Sequence, residues 1–154
     1  MDARPGPRWV GTALVLIQFV LFGLLASKAG LLFARSQAPA GAWVALLAGV
    51  ALGLWALAAN RPGNFNITPT PRAGGHLVVK GPDRWIRHPM YTALILAAAG
   101  AVIAVPDGRM GSMLVGLVAT LLVKAALEER WMVQAHPGYR DYQKSSRRFV
   151  PGLY

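Results

Sequence analysis

The sequence predicts an all-α integral membrane bundle of about four transmembrane helices, with an ordered cytoplasmic loop and a short C-terminal interfacial helix. Hydrophobic residues form 55% of the 154 residues and charged residues only 14%, unlike the balance of a soluble domain. The charges are also segregated, because residues 9–27, 36–60 and 89–106 carry none and residues 110–127 carry only Lys124. We treat residues 1–154 as a single domain.

The first two apolar runs each reach the length of a membrane span, which is about 20 residues with about 17 as the lower limit. The first opens at Trp9 and continues through Phe33, which argues against a cleaved signal peptide. A short connection near residues 34–40 leads to the second run. There Gly49 and Gly53, four residues apart, are predicted to allow close approach of another helix.

The third and fourth runs are shorter and are predicted to form an antiparallel hairpin. They are joined by Pro106-Asp107-Gly108, whose residue types are typical of a tight turn. Beyond them, residues 139–146 are expected to form the interfacial helix. The long polar stretch 61–88 contains an apolar patch at residues 77–79 and a Gly81-Pro82 turn, so we expect it to be ordered and packed on the cytoplasmic mouth.

The distribution of positive charge predicts the orientation. With four spans, only Lys28, Arg35 and Arg109 of the 16 lysines and arginines lie on the side opposite both termini. By the positive-inside rule, both termini and the 61–88 loop are expected in the cytoplasm, as in a bacterial inner membrane. Because topology and anionic headgroups account for the net charge of +10, no nucleic-acid partner is expected. Membrane lipids are expected partners, and the sequence leaves the oligomeric state open.

Several kinds of site are disfavoured by the residues present. The chain has no cysteine, and its three histidines lack a metal-binding spacing, so we expect no metal site. No Walker loop or Rossmann glycine fingerprint is present. Two polar clusters stand out instead, residues 87–91 and residues 128–139, because ionisable groups at membrane depth are costly and usually functional. Lys124 and Glu128 are four residues apart and should share a helix face.

The polar clusters lie in two stretches that resemble a known superfamily. GNFNITPTPRAGGHLVVKGPDRWIRHPMY (63–91) and EERWMVQAHPGYRDYQKSSRRFVP (128–151) are similar to the isoprenylcysteine carboxyl methyltransferases and phospholipid N-methyltransferases. These are integral membrane enzymes that use S-adenosyl-L-methionine. The resemblance covers somewhat over half of the chain and implies a pocket formed by the 61–88 loop, the start of the third helix and the 124–154 segment.

The resemblance also implies roles for individual residues. The cofactor-binding residues would be His76, Leu77, Val78, Gly81, Arg87, His88, Pro89, Met90, Tyr91 and Glu128, the first three beside adenosine. Lys124, Glu129 and Arg148 would bind the lipophilic substrate. Lys124 replaces an arginine of the carboxyl methyltransferases and lacks its planar fork, and Asp83 stands where many members carry tyrosine. No catalytic residue is assigned.

Several alternatives remain open. The leading acceptor is an isoprenylcysteine-type carboxylate, followed by a phospholipid or other lipid amine. Sterol reductases share a similar C-terminal half, but they have many more spans. A non-catalytic membrane protein that binds lipid or a partner is the alternative of another class. Arg87 could bind lipid phosphate, residues 128–130 could form an interfacial charged turn, and Trp131 and Tyr142 are interpreted as aromatic-belt anchors.

Overall fold

The computed structural model describes residues 8–60 and 77–152, apart from the side chain of Arg8. These residues form five α-helices: α1 (Arg8–Ala34), α2 (Ala40–Ala59), α3 (Pro89–Ala104), α4 (Gly108–Ala135) and α5 (Tyr139–Ser145). A 3-10 turn (Gly81–Arg84) precedes α3. Within the described ranges the only β-type pairing is one isolated bridge, so the predicted all-α class is confirmed for them. Residues 61–76, with most of the 61–88 loop, lie outside the described residues.

Three of the described helices are long and apolar enough to cross a membrane: Trp9–Ala34, Ala40–Ala59 and Gly108–Ala135. Large apolar side chains such as Leu16, Phe19, Val44 and Leu54 face outward from them, as expected for lipid contact. These features indicate a membrane protein. Helix α3 is also apolar but has 16 residues, about 24 Å at 1.5 Å per residue, against a hydrocarbon core of about 30 Å. A fourth span therefore stays a prediction.

The helix boundaries follow from local sequence. Pro89 occupies the first turn of α3, where its missing N–H and fixed φ are tolerated. Asp107 caps α4 by accepting a hydrogen bond from the backbone N–H of Arg109 at 3.4 Å, which confirms the predicted turn between α3 and α4. Helix α4 continues beyond the apolar run and ends before His136-Pro137. Its last two turns therefore carry the charged residues 128–130 on a regular helix.

Helix α3 is central, since it packs against α1, α2 and α4, and its closest partner is α2. A Cβ on Gly49 of α2 would lie 2.7 Å from the carbonyl oxygen of Ala93 and 2.9 Å from the nitrogen of Ala97. A Cβ on Gly100 of α3 would lie 2.8 Å from the carbonyl oxygen of Ala42. The two backbones are thus in direct contact, which confirms the close approach predicted at Gly49. Gly53 has more room, because its nearest neighbour would be 3.6 Å away.

An apolar core fills the half of the bundle near the α3–α4 turn. Leu25 of α1 and Met110, Leu117 and Leu121 of α4 are fully buried there among alanines of α2 and α3. The buried charged side chains lie toward the opposite end, where α3 begins and α4 ends. The fold therefore separates an apolar half from a polar end that contains His88, Lys124 and Glu129. We call this end the polar mouth.

Candidate functional site

The polar mouth is built where the chain segment after α5 lies beside the segment that leads into α3. The backbone N–H of Arg87 donates to the carbonyl of Arg147 at 2.7 Å, and that of His88 donates to the carbonyl of Arg148 at 3.1 Å. The N–H of Arg147 in turn donates to Trp85 at 2.9 Å. This pairing forms the isolated parallel bridge between Ile86 and Arg147. It places Arg147 and Arg148 beside the start of the first predicted polar cluster, residues 87–91.

Glu129 is the centre of a buried ion cluster. Its oxygens accept hydrogen bonds from Arg87 Nε at 2.8 Å, from Arg148 Nε and Nη2 at 3.2 and 2.8 Å, and from Gln143 at 3.2 Å. His88 Nε2 lies 3.2 Å away. The Glu129 side chain is only 6% exposed. Because two guanidinium groups already neutralise it, the carboxylate is well suited to joining α4 to the C-terminal segment.

Glu128 has a different environment, although it is the next residue. Its Oε2 accepts a hydrogen bond from the Tyr91 hydroxyl at 2.7 Å and lies 3.7 Å from Nδ1 of His88. Its side chain is 30% exposed, in contrast to that of Glu129. His88 therefore stands between two carboxylates, one of which can be reached from outside the bundle. Glu128 is the acidic group best placed to bind a cationic ligand.

Three aromatic rings form a cluster at the mouth, and two of them, those of His88 and Tyr91, lie next to Glu128. The His88 and Tyr91 rings are stacked with centroids 5.1 Å apart and an interplanar angle of 6°. Phe149 lies 5.8 Å from the first and 6.3 Å from the second. Aromatic faces attract cations, so this group complements the carboxylate. Sequence reasoning did not single out Phe149, and the signal available was an aromatic residue directly after Arg147-Arg148.

Lys124 enters the same region from the interior. It is 2% exposed, and its Nζ donates to Oε1 of Gln18 at 2.8 Å while lying 5.0 Å from the Tyr91 ring centroid. Lys124 and Glu128 thus contact opposite ends of one tyrosine, its ring and its hydroxyl, which confirms that they share a helix face. Gln18 of α1 was missed, although it is the one side-chain amide in the run 9–27.

The C-terminal helix is held by buried tyrosines. Tyr142 donates its hydroxyl to the carbonyl of Asp83 at 2.5 Å. Tyr142 and Trp131 are 9% and 8% exposed, so their interpretation as aromatic-belt anchors is wrong, because they pack against protein. Burial raises the pKa values of Tyr142 and Tyr139 above those of free tyrosines, which keeps both hydroxyls protonated. Burial also raises the pKa of Asp83 to about 7, against the opposing effect of a hydrogen bond with its own backbone.

The remaining predicted cofactor residues surround the 3-10 turn and the start of α3. His76 lies outside the described residues. Leu77 and Val78 are half-buried, as is Met90, while Pro89 is buried. Gly81 has φ +58°, and a Cβ there would lie 2.6 Å from Cβ of Ala59. The structure therefore gives Gly81 a packing role against the end of α2, since this left-handed conformation and close contact favour glycine.

The described residues contain no group of three or more histidine, cysteine or acidic side chains that could hold a metal ion. The mouth does contain groups that fit an organic cation, namely the partly exposed Glu128 carboxylate and the three rings. No protein-family model matches the chain, and no curated protein or solved structure matches it significantly.

Proposed function

We propose that the protein transfers a methyl group from S-adenosyl-L-methionine to a lipophilic or amphipathic small molecule that reaches the mouth through the bilayer. The observation that carries this proposal is the Glu128 carboxylate, partly exposed, hydrogen-bonded to Tyr91 and bordered by aromatic rings. The cofactor carries two positive charges, an ammonium and a sulfonium. A carboxylate suits the first, and aromatic faces suit the second.

The residues of the mouth have distinct roles in this proposal. Glu128 would bind the ammonium group, with its orientation fixed by the Tyr91 hydroxyl. Tyr91 and Phe149 would contribute aromatic rings that stabilise the positive charge at sulfur. Glu129 has a structural role in the site. It pairs with Arg87 and Arg148 and so holds the C-terminal segment beside His88. The bound cofactor would supply the electrophilic methyl group, while the protein supplies orientation and a charge-matched environment.

The acceptor is proposed to be a lipophilic acid, with a lipid amine as the alternative. Lys124 favours the acid, because its buried ammonium beside Tyr91 can attract an anionic group of the acceptor. The apolar helices on either side are suited to an acceptor with a hydrocarbon tail. Both termini are proposed to face the cytoplasm, where the cofactor is available.

Two measurements test the proposal. Calorimetry with S-adenosylhomocysteine on the protein in phospholipid vesicles should show saturable binding. A labelled-methyl assay with lipid extracts and prenylcysteine analogues, followed by mass spectrometry, should then identify the methylated product. Absence of binding would favour the non-catalytic alternative. Binding together with transfer to amines alone would select the lipid amine class of acceptor.

A further inference from the structure

The ammonium of Lys124 is buried with few compensating groups. In the part of the chain that the structure describes, Nζ has one hydrogen-bond acceptor, Oε1 of Gln18 at 2.8 Å, and one aromatic neighbour, the ring of Tyr91 at 5.0 Å. Gln18 is itself buried and belongs to α1, across the bundle from α4. A buried charge is destabilising unless nearby groups satisfy it. Gln18 is therefore the principal partner that holds this ammonium in place.

A second acceptor for Lys124 lies on its own helix. Glu128 follows it by four residues, and residues at that spacing on a helix are neighbours whose opposite charges attract. Even so, the described residues show no ion pair between the two. Nζ is directed to Gln18, and the Glu128 carboxylate accepts from Tyr91 instead. The lysine therefore forms a hydrogen bond with Gln18 and no ion pair with Glu128, the partly exposed carboxylate of the mouth.

We infer that Gln18 is a positioning residue, which holds the Lys124 ammonium toward α1 and so keeps Glu128 available for the ammonium group of a ligand. This inference rests on the proposed function, because it assigns a cationic ligand group to Glu128. Without the Gln18 oxygen, Nζ turns toward Glu128 and forms the i,i+4 pair. The lysine then competes with the ligand's ammonium for the same carboxylate.

The test compares two probes that differ in one group, S-adenosylhomocysteine and its deaminated analogue, which keeps the carboxylate, thioether and adenosine. Their affinities are measured by calorimetry for the full chain and its variants in phospholipid vesicles. In Gln18→Met, affinity for the amine-bearing probe should fall about tenfold, since one charge-assisted hydrogen bond is weakened. Affinity for the deaminated probe should not change. Lys124→Met added to Gln18→Met should restore the lost affinity.

Controls separate positioning from a general structural effect. Gln18→Glu keeps an acceptor for Nζ and should behave as the wild type. Thr120→Val removes another polar group of the bundle, whose hydroxyl donates to the carbonyl of Gly116 in the same helix, and should change neither affinity. If Gln18→Met does not fold, Gln18→Asn, one methylene shorter, replaces it. Equal loss for both probes, or no loss for either, overturns the inference, whereas a wild type that binds neither probe overturns the proposed function instead.

Discussion

Arg148 binds Glu129 through two hydrogen bonds, from Nε to Oε1 at 3.2 Å and from Nη2 to Oε2 at 2.8 Å. This bidentate geometry joins the segment after α5 to the end of α4, where Arg87 and His88 contact the same carboxylate. A single acidic side chain thus fixes the relative positions of three segments of the chain. Its removal would leave two arginines near the protein interior without their shared partner.

Glu129→Ala should therefore strongly destabilise the protein. Breaking a buried ion pair by removing one partner costs about 3–5 kcal/mol, and here two guanidinium groups lose the carboxylate that they share. Unfolding in detergent, followed by circular dichroism, measures the change. Asp141→Asn is the matched control, because it removes the exposed pair with Lys144 and should have no measurable effect. Equal stability of Glu129→Ala and the wild type would contradict the cluster's structural role.

Glu128→Gln should weaken binding of S-adenosylhomocysteine while the protein remains folded. Loss of a charge-assisted hydrogen bond corresponds to about 1.5–3 kcal/mol, or about 10- to 150-fold in affinity. Tyr91→Phe keeps the ring but removes the hydroxyl that orients Glu128, so its effect should be smaller. Arg130→Gln, an exposed neighbour in the same turn, serves as the control. If Glu128→Gln binds S-adenosylhomocysteine as tightly as the wild type, Glu128 is not part of the binding site.

The pair Gly49→Ala and Gly53→Ala should separate close backbone contact from ordinary packing. The new Cβ at Gly49 would overlap the backbone of α3, whereas that at Gly53 meets only Cβ of Ala93 at 3.6 Å. Overpacking typically costs about 1–3 kcal/mol, so we expect this loss for the first variant and little change for the second. Thermal unfolding of both proteins in the same detergent measures the difference. A larger loss for Gly53→Ala would contradict the packing described for α2 and α3.

Asp83 should make the protein more stable in mild acid. Its pKa is about 7 in the folded state and about 3.9 in an unfolded chain, so the folded state binds the proton more tightly. The stability contributed by the protonated carboxyl is complete below about pH 4 and is lost as pH rises to about 7. Asp83→Asn should remove this part of the pH dependence. Melting temperatures of both proteins between pH 4 and 8 test it, and parallel curves would contradict the assignment.

A reporter fused to the C-terminus should be located in the cytoplasm. The basic residues concentrate at the end of the bundle that contains the mouth, and positive charge is retained on the cytoplasmic side. Paired fusions that are active only in the cytoplasm or only outside it measure the orientation. A fusion after Arg35, in the connection between α1 and α2, is the matched control and should report the opposite side. If the two fusions report the reverse orientation, the mouth faces away from the cytoplasm, where the cofactor is available.

Sequence reasoning predicted the helices, because apolar length and turn residues are local properties. It placed His88, Tyr91 and Glu128 at the same end because a tight turn makes α3 and α4 antiparallel neighbours, and because both stretches resemble one family. It missed Gln18, since a helix that is apolar on every side carries no periodic signal for the face that meets another helix. It was wrong about Trp131 and Tyr142, because an aromatic residue near a helix end has the same local pattern whether it meets headgroups or protein. The contact of Tyr142 with Asp83 depends on the C-terminal segment folding back, which no local pattern encodes.

The shortness of α3 has a consequence for the depth of the mouth. A helix of 16 residues is about 6 Å shorter than the hydrocarbon core. The bilayer can thin around such a helix, or the polar end can remain below the headgroups. If α3 crosses the bilayer as predicted, both cases bring its first residues, at the mouth, closer to the acyl chains. The proposed tailed acceptor would then reach the mouth by a small sideways displacement in the leaflet, without being extracted into water.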